Sequence, residues 1–460
     1  MSKPPKPSRR GFLAAGAAGI ASGDIPAAPA GRPNLVLILA DDLGWTDVGY
    51  QGRRYDTPNI DRFAQQGMVF TRAYSACPTC SPTRASILTG QHPARLRLVR
   101  HIPAGRAFGF DRFGRTNEPF HLLPTDPAQF PSRNWLPLEA TTIAKALKPL
   151  GYHSAFAGKW HLGHEPYHPV RHGFDEQSGV TNYGHPGSYY PPYWPVKEAD
   201  PYAGAPAEKY LDDRVADDAI AYLERRGAGG PFLLAVFFYG VHSPHIGRKD
   251  LVPKYEQRGY RGAQAQYGAM VEAMDSAAGR ILSALDRLGL ARNTVVVFVS
   301  DQGGAFPQAP LRGGKTGGTA LYEGGARVPL AVRWPGKVKP GSRTETRVIS
   351  NDFFPTFVEL AGGDPRAHRP LDGRSLVPEL TGRASSPPRP LILYRHYEDL
   401  YAAVLDGDWK LIASLKGDHE LYRLADDPGE ANNVAAKFPA RREELLAVLA
   451  RWKTSLGLKP

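Results

Sequence analysis

The chain is 460 residues long, enough for one large core and a smaller second one. Its 42% hydrophobic and 22% charged residues suit a globular enzyme, and 49 glycines with 43 prolines argue for long loops between strands and helices, not a helical bundle. The formal charge of +12 favours anionic partners, but no long block of like charge and no basic stripe interleaved with aromatics points to nucleic acid, and no apolar run has the length of a membrane span.

Residues 1–30 are predicted to be a targeting segment, not part of the fold. Arg9 and Arg10 precede Phe12, Leu13 and a weakly apolar Ala/Gly stretch, and AAPA at 27–30 offers small residues for cleavage. This is the pattern of a twin-arginine signal, so a periplasmic or secreted location is expected; the bland alternative is a disordered basic tail. The segment holds four basic groups and Asp24, which leaves +9 for the rest of the chain.

Along the rest of the chain, PNLVLILADDLG comes first. Its run Leu35–Leu39 is apolar on both faces, which predicts a central strand covered on both sides, and it ends in Asp41 and Asp42. TTIAKALKPLGY at 141–152 predicts a helix with Thr141 or Thr142 as its cap. PFLLAVFFYGVHSPH predicts a second buried strand, Phe232–Tyr239, followed by His242 and His245. Tyr267, Met270, Val271, Met274, Ala278, Ile281, Leu282, Leu285 and Leu288 form a helical stripe that stops at Gly289. NTVVVFVSDQGG predicts a third strand, Val295–Val299, followed by Asp301 and Gln302. After about residue 385, LILYRHYE, YAAVLDGDWKLIAS and HELYRLAD predict short strands separated by turns, and PARREELLAVLARWKTSL a last amphipathic helix.

Strands alternating with helices imply an α/β fold: a large mixed, mostly parallel sheet flanked by helices, with a smaller C-terminal antiparallel sheet plus helix. The expected organisation is a signal at 1–30, a catalytic α/β domain at 31–384 and a C-terminal α+β subdomain at 385–460. Ligands bind beyond the carboxyl ends of parallel strands, so Asp41, Asp42, His242, Asp301 and Gln302 are expected at one sheet edge. An Asp after a strand is also a common cap or turn residue; the recurrence after three strands argues against that here. Three carboxylates and an amide oxygen form a hard oxygen set suited to Ca²⁺ or Mg²⁺.

Both cysteines lie in CPTCSPTRASILTG, at 77 and 80. Pro82 suits a first helical turn and Gly90 a stop, so Cys80 is predicted at a helix N-terminus, where free N–H groups favour anions. Arg84 adds a guanidinium fork for oxyanions. A disulfide, a redox pair, a metal clip and a modified catalytic residue are all open on these residues. The disulfide would close a very small loop with little entropic gain, zinc would need further cysteines, and no thioredoxin-like flank surrounds the pair.

Cys80-Ser81-Pro82-Thr83-Arg84, continuing ASILTG, resembles the C-x-P-x-R signature of type I sulfatases. Cys77 does not fit it, because Thr79 stands where the proline belongs. PNLVLILADDLGWTDVG, GYHSAFAGKWHLG, VHSPH, FVSDQGG and LRGGKTGGTALYEGGARVP also resemble that family's motifs, in family order, and the likeness runs over about residues 32–435. The second metal pair departs from the usual Asp-Asn or Asp-His: Gln302 offers its amide oxygen one methylene further out. The stretch from Lys315 to Glu323 is a few residues longer than the common version.

The resemblance implies an alkaline phosphatase-like fold and hydrolysis of a sulfate monoester on a sugar or aryl alcohol. It implies that Cys80 is oxidised by a formylglycine-generating enzyme to Cα-formylglycine, whose hydrate attacks sulfur. It implies Ca²⁺, or Mg²⁺, on Asp41, Asp42, Asp301 and Gln302 with residue 80. Arg84 and Lys159 then stabilise the deprotonated diol, and His242 and Lys315 bind sulfate or protonate the leaving oxygen. His161 takes a proton from the remaining hydroxyl, expelling sulfate and restoring the aldehyde. The expected partner is a sulfated small molecule or glycan. The rivals are a phosphonate or phosphodiester hydrolase of the same superfamily, a sulfated-glycan binding protein without turnover, and, more distantly, a thiol redox protein that depends on Cys77. YGHPGSYYPPYW at 183–194 is either an aromatic rim for the substrate or an ordinary packed loop, and the insert at 104–135 is expected to shape the pocket.

Overall fold

The computed structural model describes residues 31–459 apart from 53, 124, 125, 128, 228, 317, 384–386 and 397, and the side chain of residue 107. The export segment at 1–30 and the boundary at 384/385 therefore lie outside the described residues.

The main sheet has eight strands: β1 (Asn34–Ala40), β2 (Met68–Phe70), β3 (His153–Gly158), β4 (Glu176–Ser178), β5 (Phe232–Phe237), β6 (Thr294–Ser300), β7 (Leu330–Arg333) and β8 (Ser342–Thr344). Their order is β8-β2-β7-β6-β1-β5-β3-β4. β1 runs parallel to β5 on one side and β6 on the other, and β3 is parallel to β5 and β4. β7 is antiparallel to both β6 and β2, which makes the sheet mixed. The helices used below are α1 (Pro58–Gln65), α2 (Cys80–Thr89), α3 (Ile143–Leu147), α4 (Leu211–Arg226), α5 (Ala263–Arg287), α6 (Glu323–Ala326), α7 (Phe353–Leu360) and α8 (Pro439–Ser455).

The two-faced run of β1 explains the layering. Val36 and Ile38 enter one core with α4 and α5, while Leu35, Leu37 and Leu39 enter another with α2, α3 and α7. A strand whose alternate side chains are apolar on both faces is stable only between two helical layers. The α5 stripe buries Tyr267, Met270, Val271, Met274, Ala278, Ile281, Leu282 and Leu285 as expected; the helix ends at Arg287, and Gly289 takes up φ +70° just beyond. The helix expected over 141–152 is shorter. Thr142 caps it through Lys145 N–H, but α3 stops at Leu147 and a single 3₁₀ turn, Lys148–Leu150, follows. Pro149 has no N–H to continue the helix.

The C-terminal sheet is antiparallel, in the order β9 (Leu391–Tyr394), β10 (Leu400–Asp406), β11 (Trp409–Ser414), β12 (Glu420–Arg423). One face packs Leu445 and Leu449 of α8, and the other packs Tyr74, Leu321, Tyr322 and Ala326 of the main body. Among the described residues no helix is long and apolar enough to cross a membrane.

Candidate active site

Four parallel strands deliver the polar groups to one edge. Asp41 and Asp42 follow β1, Lys159 and His161 follow β3, His242 lies beyond β5, and Asp301 and Gln302 follow β6. The strand ends are stitched by backbone bonds: Asp41 N–H donates to Gly240 O (2.9 Å), Lys159 N–H to Phe237 O (2.8 Å) and Asp301 N–H to Ala40 O (3.1 Å). Asp42 N–H donates to the Asp301 carboxylate (3.1 Å), across 259 positions of chain. Asp42 and His161 adopt left-handed φ of +60° and +52°, conformations that are costly for such residues and concentrate at functional sites.

Cys80 is the first residue of α2, as its flanks suggest, and Gly90 ends the helix in the left-handed region at φ +68°. Every residue of α2 is buried. Cys77 is a buried free thiol directed at Val99 O (3.2 Å), and no disulfide joins it to Cys80. Cys80 Sγ lies 3.7 Å from Asp41 Oδ1 and 3.3 Å from Gln302 Nε2. Burial, opposed by Lys159, pushes the Cys80 thiol up to about 12. An unmodified thiol at this position is therefore a poor nucleophile at neutral pH.

Three basic side chains face three carboxylates. Arg84, fully buried, grips Asp301 through Nε (3.1 Å) and Nη2 (2.8 Å), reaches Asp41 at 3.5 Å and donates to Lys159 O at 2.8 Å. Lys159 Nζ bonds Asp41 and Lys315 Nζ bonds Asp42. Burial opposes the charges of Arg84 and Lys315, but the neighbouring anionic groups together outweigh it, led by Asp301 for Arg84 and by Asp42 for Lys315, so both are held above their ordinary values. Burial and the Asp41 charge push Asp301 up to about 6. Carboxylates this crowded are expensive to keep ionised without more positive charge.

The donors fit a hard divalent cation. Ligand atoms of Asp41, Cys80 and Asp301 lie within 4.8 Å of one another, as do those of Asp42, Cys80 and His242. The Gln302 amide reaches both Asp42 and Cys80, and turning that amide over puts its oxygen where its nitrogen now sits. The extra methylene of Gln302 thus keeps its amide within the cluster.

Two histidines complete the floor. His161 Nε2 faces Ile102 O at 2.8 Å, which makes it the N–H, and the buried Nδ1 has no partner among the described residues. His242 Nδ1 faces Ser243 O at 2.6 Å, and its Nε2 points to Asp42 at 3.6 Å. Burial, then the nearby lysines, hold both imidazoles well below the ordinary histidine value, so both are neutral. His245 is elsewhere, packed on Tyr267 and Phe306.

Above Cys80, His161, His242 and Lys315 opens a cleft of about 340 Å³. Its wall adds His101, Phe108, Tyr183 and His185, none of which carries a local motif that marks it. His185 stacks on His242 with ring centres 5.4 Å apart and planes 8° from parallel. The aromatic loop divides between both expectations: Tyr183 and His185 line the cleft, whereas Tyr189, Tyr193 and Trp194 are core residues. Phe108 brings the insert to the cleft. A larger groove of about 1170 Å³, lined by Arg366, Arg369 and Arg374, shares no residue with this cleft and holds none of the reactive groups.

The family profile described as Sulfatase matches residues 33–363, and one described as N-sulphoglucosamine sulphohydrolase, C-terminal, matches 318–451. The chain belongs to the sulfatase family. It is 34% identical to the N-acetylgalactosamine-6-sulfatase of Sus scrofa, over 90% of this chain and 78% of that one. It is 34% identical to the steryl-sulfatase of Mus musculus, over 83% and 70%. Among solved structures, Ps i-CgsB in complex with k-i-k-neocarrahexaose superposes with a TM-score of 0.78 at 28% identity over 92% of each chain. This sulfatase is a type I, formylglycine-dependent enzyme of the alkaline phosphatase superfamily fold. It is a sulfuric-ester hydrolase with a cysteine-derived nucleophile beside a cation-binding cluster, as its homologues are, and the cluster is consistent with Ca²⁺.

Proposed function

We propose that this sulfatase removes sulfate from a saccharide, with Cys80 as the residue converted to formylglycine. The observation that carries the assignment of residues is the convergence on Cys80, at the start of α2, of Asp41 and Gln302 from two strand ends, with Lys315 over Asp42. The saccharide reading is supported by the size of the cleft, about 340 Å³, its His, Tyr and Phe walls, a relative named N-acetylgalactosamine-6-sulfatase and a solved neighbour in complex with k-i-k-neocarrahexaose.

When present, a divalent cation on Asp41, Asp42, Asp301 and Gln302 neutralises sulfate charge, and the hydrated aldehyde made from Cys80 supplies a hydroxyl nucleophile with a second hydroxyl for release. The chain's own groups do the rest. Arg84 ties the Asp301 and Asp41 carboxylates together from beneath. Lys315, which lines the cleft, directs its ammonium N–H groups at the edge where sulfate oxygens bind, while Lys159, fully buried against Asp41, offers its charge to the residue-80 diol from beneath. Lys315 is the group that can give a proton to the leaving oxygen, because neutral His242, its Nδ1–H committed to Ser243 O, presents only a lone pair at Nε2 and there accepts a hydrogen bond. His161, its Nε2–H committed to Ile102 O, accepts a proton at the unpartnered Nδ1. We also infer that a formylglycine-generating enzyme acts on Cys80 in the cytoplasm and that residues 1–30 then direct twin-arginine export to the periplasm or beyond.

The test is the mass of the tryptic peptide Ala73–Arg84 from protein taken from its native host, together with rates on sulfated mono- and oligosaccharides, an aryl sulfate and an aryl phosphodiester. Aldehyde at position 80, an intact Cys77 and preference for sulfated sugars are expected. Two thiols with retained glycan affinity overturn the reading in favour of a binding protein, and faster phosphodiester cleavage overturns it in favour of the sister activity.

A further inference from the structure

Lys315 lies on a long loop, yet its ammonium meets Asp42 in the floor of the site. Three Gly-Gly pairs explain how a loop holds it there: Gly303-Gly304 after the metal pair, Gly313-Gly314 before Lys315, and Gly324-Gly325 in α6. They pack backbone to backbone. A Cβ on Gly324 would stand 2.5 Å from Gly313 O, and one on Gly325 2.7 Å from Gly314 O. Gly303 N–H donates to Gly325 O (2.9 Å), Gly324 N–H to Arg312 O (2.7 Å) and Lys315 N–H to Gly304 O (3.0 Å). Any shift of α6 is therefore carried into the backbone of Lys315.

α6 is held from two sides: Tyr74 of the main body donates its hydroxyl to Glu323 at 3.0 Å, and the C-terminal region supplies a buried charge cluster. Glu323, its first residue, is buried with Lys410 of β11 at 2.9 Å, and Lys410 also pairs with Glu430 at 2.8 Å. All three side chains are at most 1% exposed. Glu430 in turn accepts the Glu323 backbone N–H at 2.6 Å. On the other arm of the loop, Arg312 donates to Glu430 O (3.0 Å) and Tyr422 Oη (2.8 Å), and its guanidinium lies 4.0 Å over the Tyr322 ring. A buried charge cluster of this kind adds little net stability, and its documented use is to fix one geometry among several.

We propose that Lys410 and Glu430 are positioning residues for Lys315: from behind the active site they fix the loop that aims its ammonium. The proposal rests on Lys315 serving the sulfatase reaction at the cleft floor. Neither residue lines the cleft, so any effect on turnover has to pass through the loop.

The experiment is a double-mutant cycle with kcat/KM on an aryl sulfate as readout, in the formylglycine-containing enzyme, with melting curves for every variant. Glu430→Gln keeps the Lys410–Glu323 pair and still accepts the Glu323 N–H, so it serves where Lys410→Met does not fold. Glu430→Gln is expected to lower kcat/KM by about 10-fold and Lys410→Met by up to about 100-fold, the scale of a misplacement on the order of 1 Å. On a Lys315→Ala background, Glu430→Gln is expected to cost nothing further. A folded Glu430→Gln enzyme with unchanged kcat/KM overturns the proposal, and so does an equal loss on both backgrounds. Full activity in Lys315→Ala removes the role of Lys315 itself, which is a failure of the site assignment and is visible separately from the cycle.

Discussion

The floor of the cleft hangs on strand ends, whereas its wall hangs on loops. Asp41, Asp42, Lys159, Asp301 and Gln302 are at most 1% exposed, and the backbones of Asp41, Lys159 and Asp301 are stitched to neighbouring strand ends. Phe108 and His185 are exposed and belong to segments with little backbone pairing. Sulfate chemistry needs fixed charges within hydrogen-bond reach, and a rigid sheet edge supplies them. Choice among sulfated alcohols needs a surface that can vary without disturbing those charges, and loops supply that.

The sharpest break of the floor is Cys80→Ser. Serine has no aldehyde to regenerate, so turnover on an aryl sulfate is expected to fall by about 10⁴-fold or more, with the fold intact by circular dichroism. Nearly full turnover would move the nucleophile away from residue 80. Removing the cation comes next. Treatment with a chelator is expected to abolish activity and lower the melting temperature, and Ca²⁺ is expected to restore both. A ligand at 100 times its Kd stabilises the folded state by about 2.7 kcal/mol, so the shift is measurable. Restoration by Mg²⁺ and not Ca²⁺ would reassign the ion.

This contrast also decides what can be read in the sequence. Runs such as Leu35–Leu39 and Val295–Val299 announce buried parallel strands, and the rule that ligands gather beyond their carboxyl ends is enough to bring Asp41, Asp42 and Asp301 together. The Cys80 signature and the Lys159, His161 and Lys315 motifs are legible because each is local. His185 is not: it sits in YGHPGSYY, where only the aromatic and proline content stands out. Its stack on His242 is a tertiary fact. Lys410, Glu323 and Glu430 are equally hidden, since 87 and 107 positions separate Glu323 from its two partners. The aromatic loop cannot be sorted by composition, because Tyr189 holds Tyr239 O and His242 O from the core while Tyr183 faces the cleft.

The wall has its own test in His185→Ala. His185 gives Nδ1–H to Pro186 O at 2.9 Å, which leaves Nε2 for a substrate hydroxyl. Loss of one hydrogen bond and one stack, about 1 kcal/mol together, is expected to cut kcat/KM on a sulfated saccharide about fivefold while a small aryl sulfate changes little. An equal loss on both substrates would make His185 part of the floor through its contact with His242.

The smallest expected effect concerns a buried carboxylate that no cation among the described residues pairs with. Asp275 on α5 accepts Ile60 N–H (2.7 Å), Asn59 N–H (3.2 Å) and Asn59 Nδ2 (2.8 Å), and so caps the start of α1 from another helix. Burial outweighs these donors and raises its carboxyl from 3.8 to about 6. The fold therefore favours protonated Asp275: its stabilising contribution is complete below the unfolded value and is lost as the pH rises through about 6. Asp275→Asn removes this one titration and leaves the carboxylates of the floor in place. Between pH 7 and pH 5 the stability of the wild type is expected to gain about 1 kcal/mol relative to the variant, read from denaturant midpoints at both pH values. A constant difference would mean that the three N–H donors hold Asp275 ionised throughout. Hydrogen bonds alone would then do for this carboxylate what Arg84, Lys159 and Lys315 do for the carboxylates of the floor.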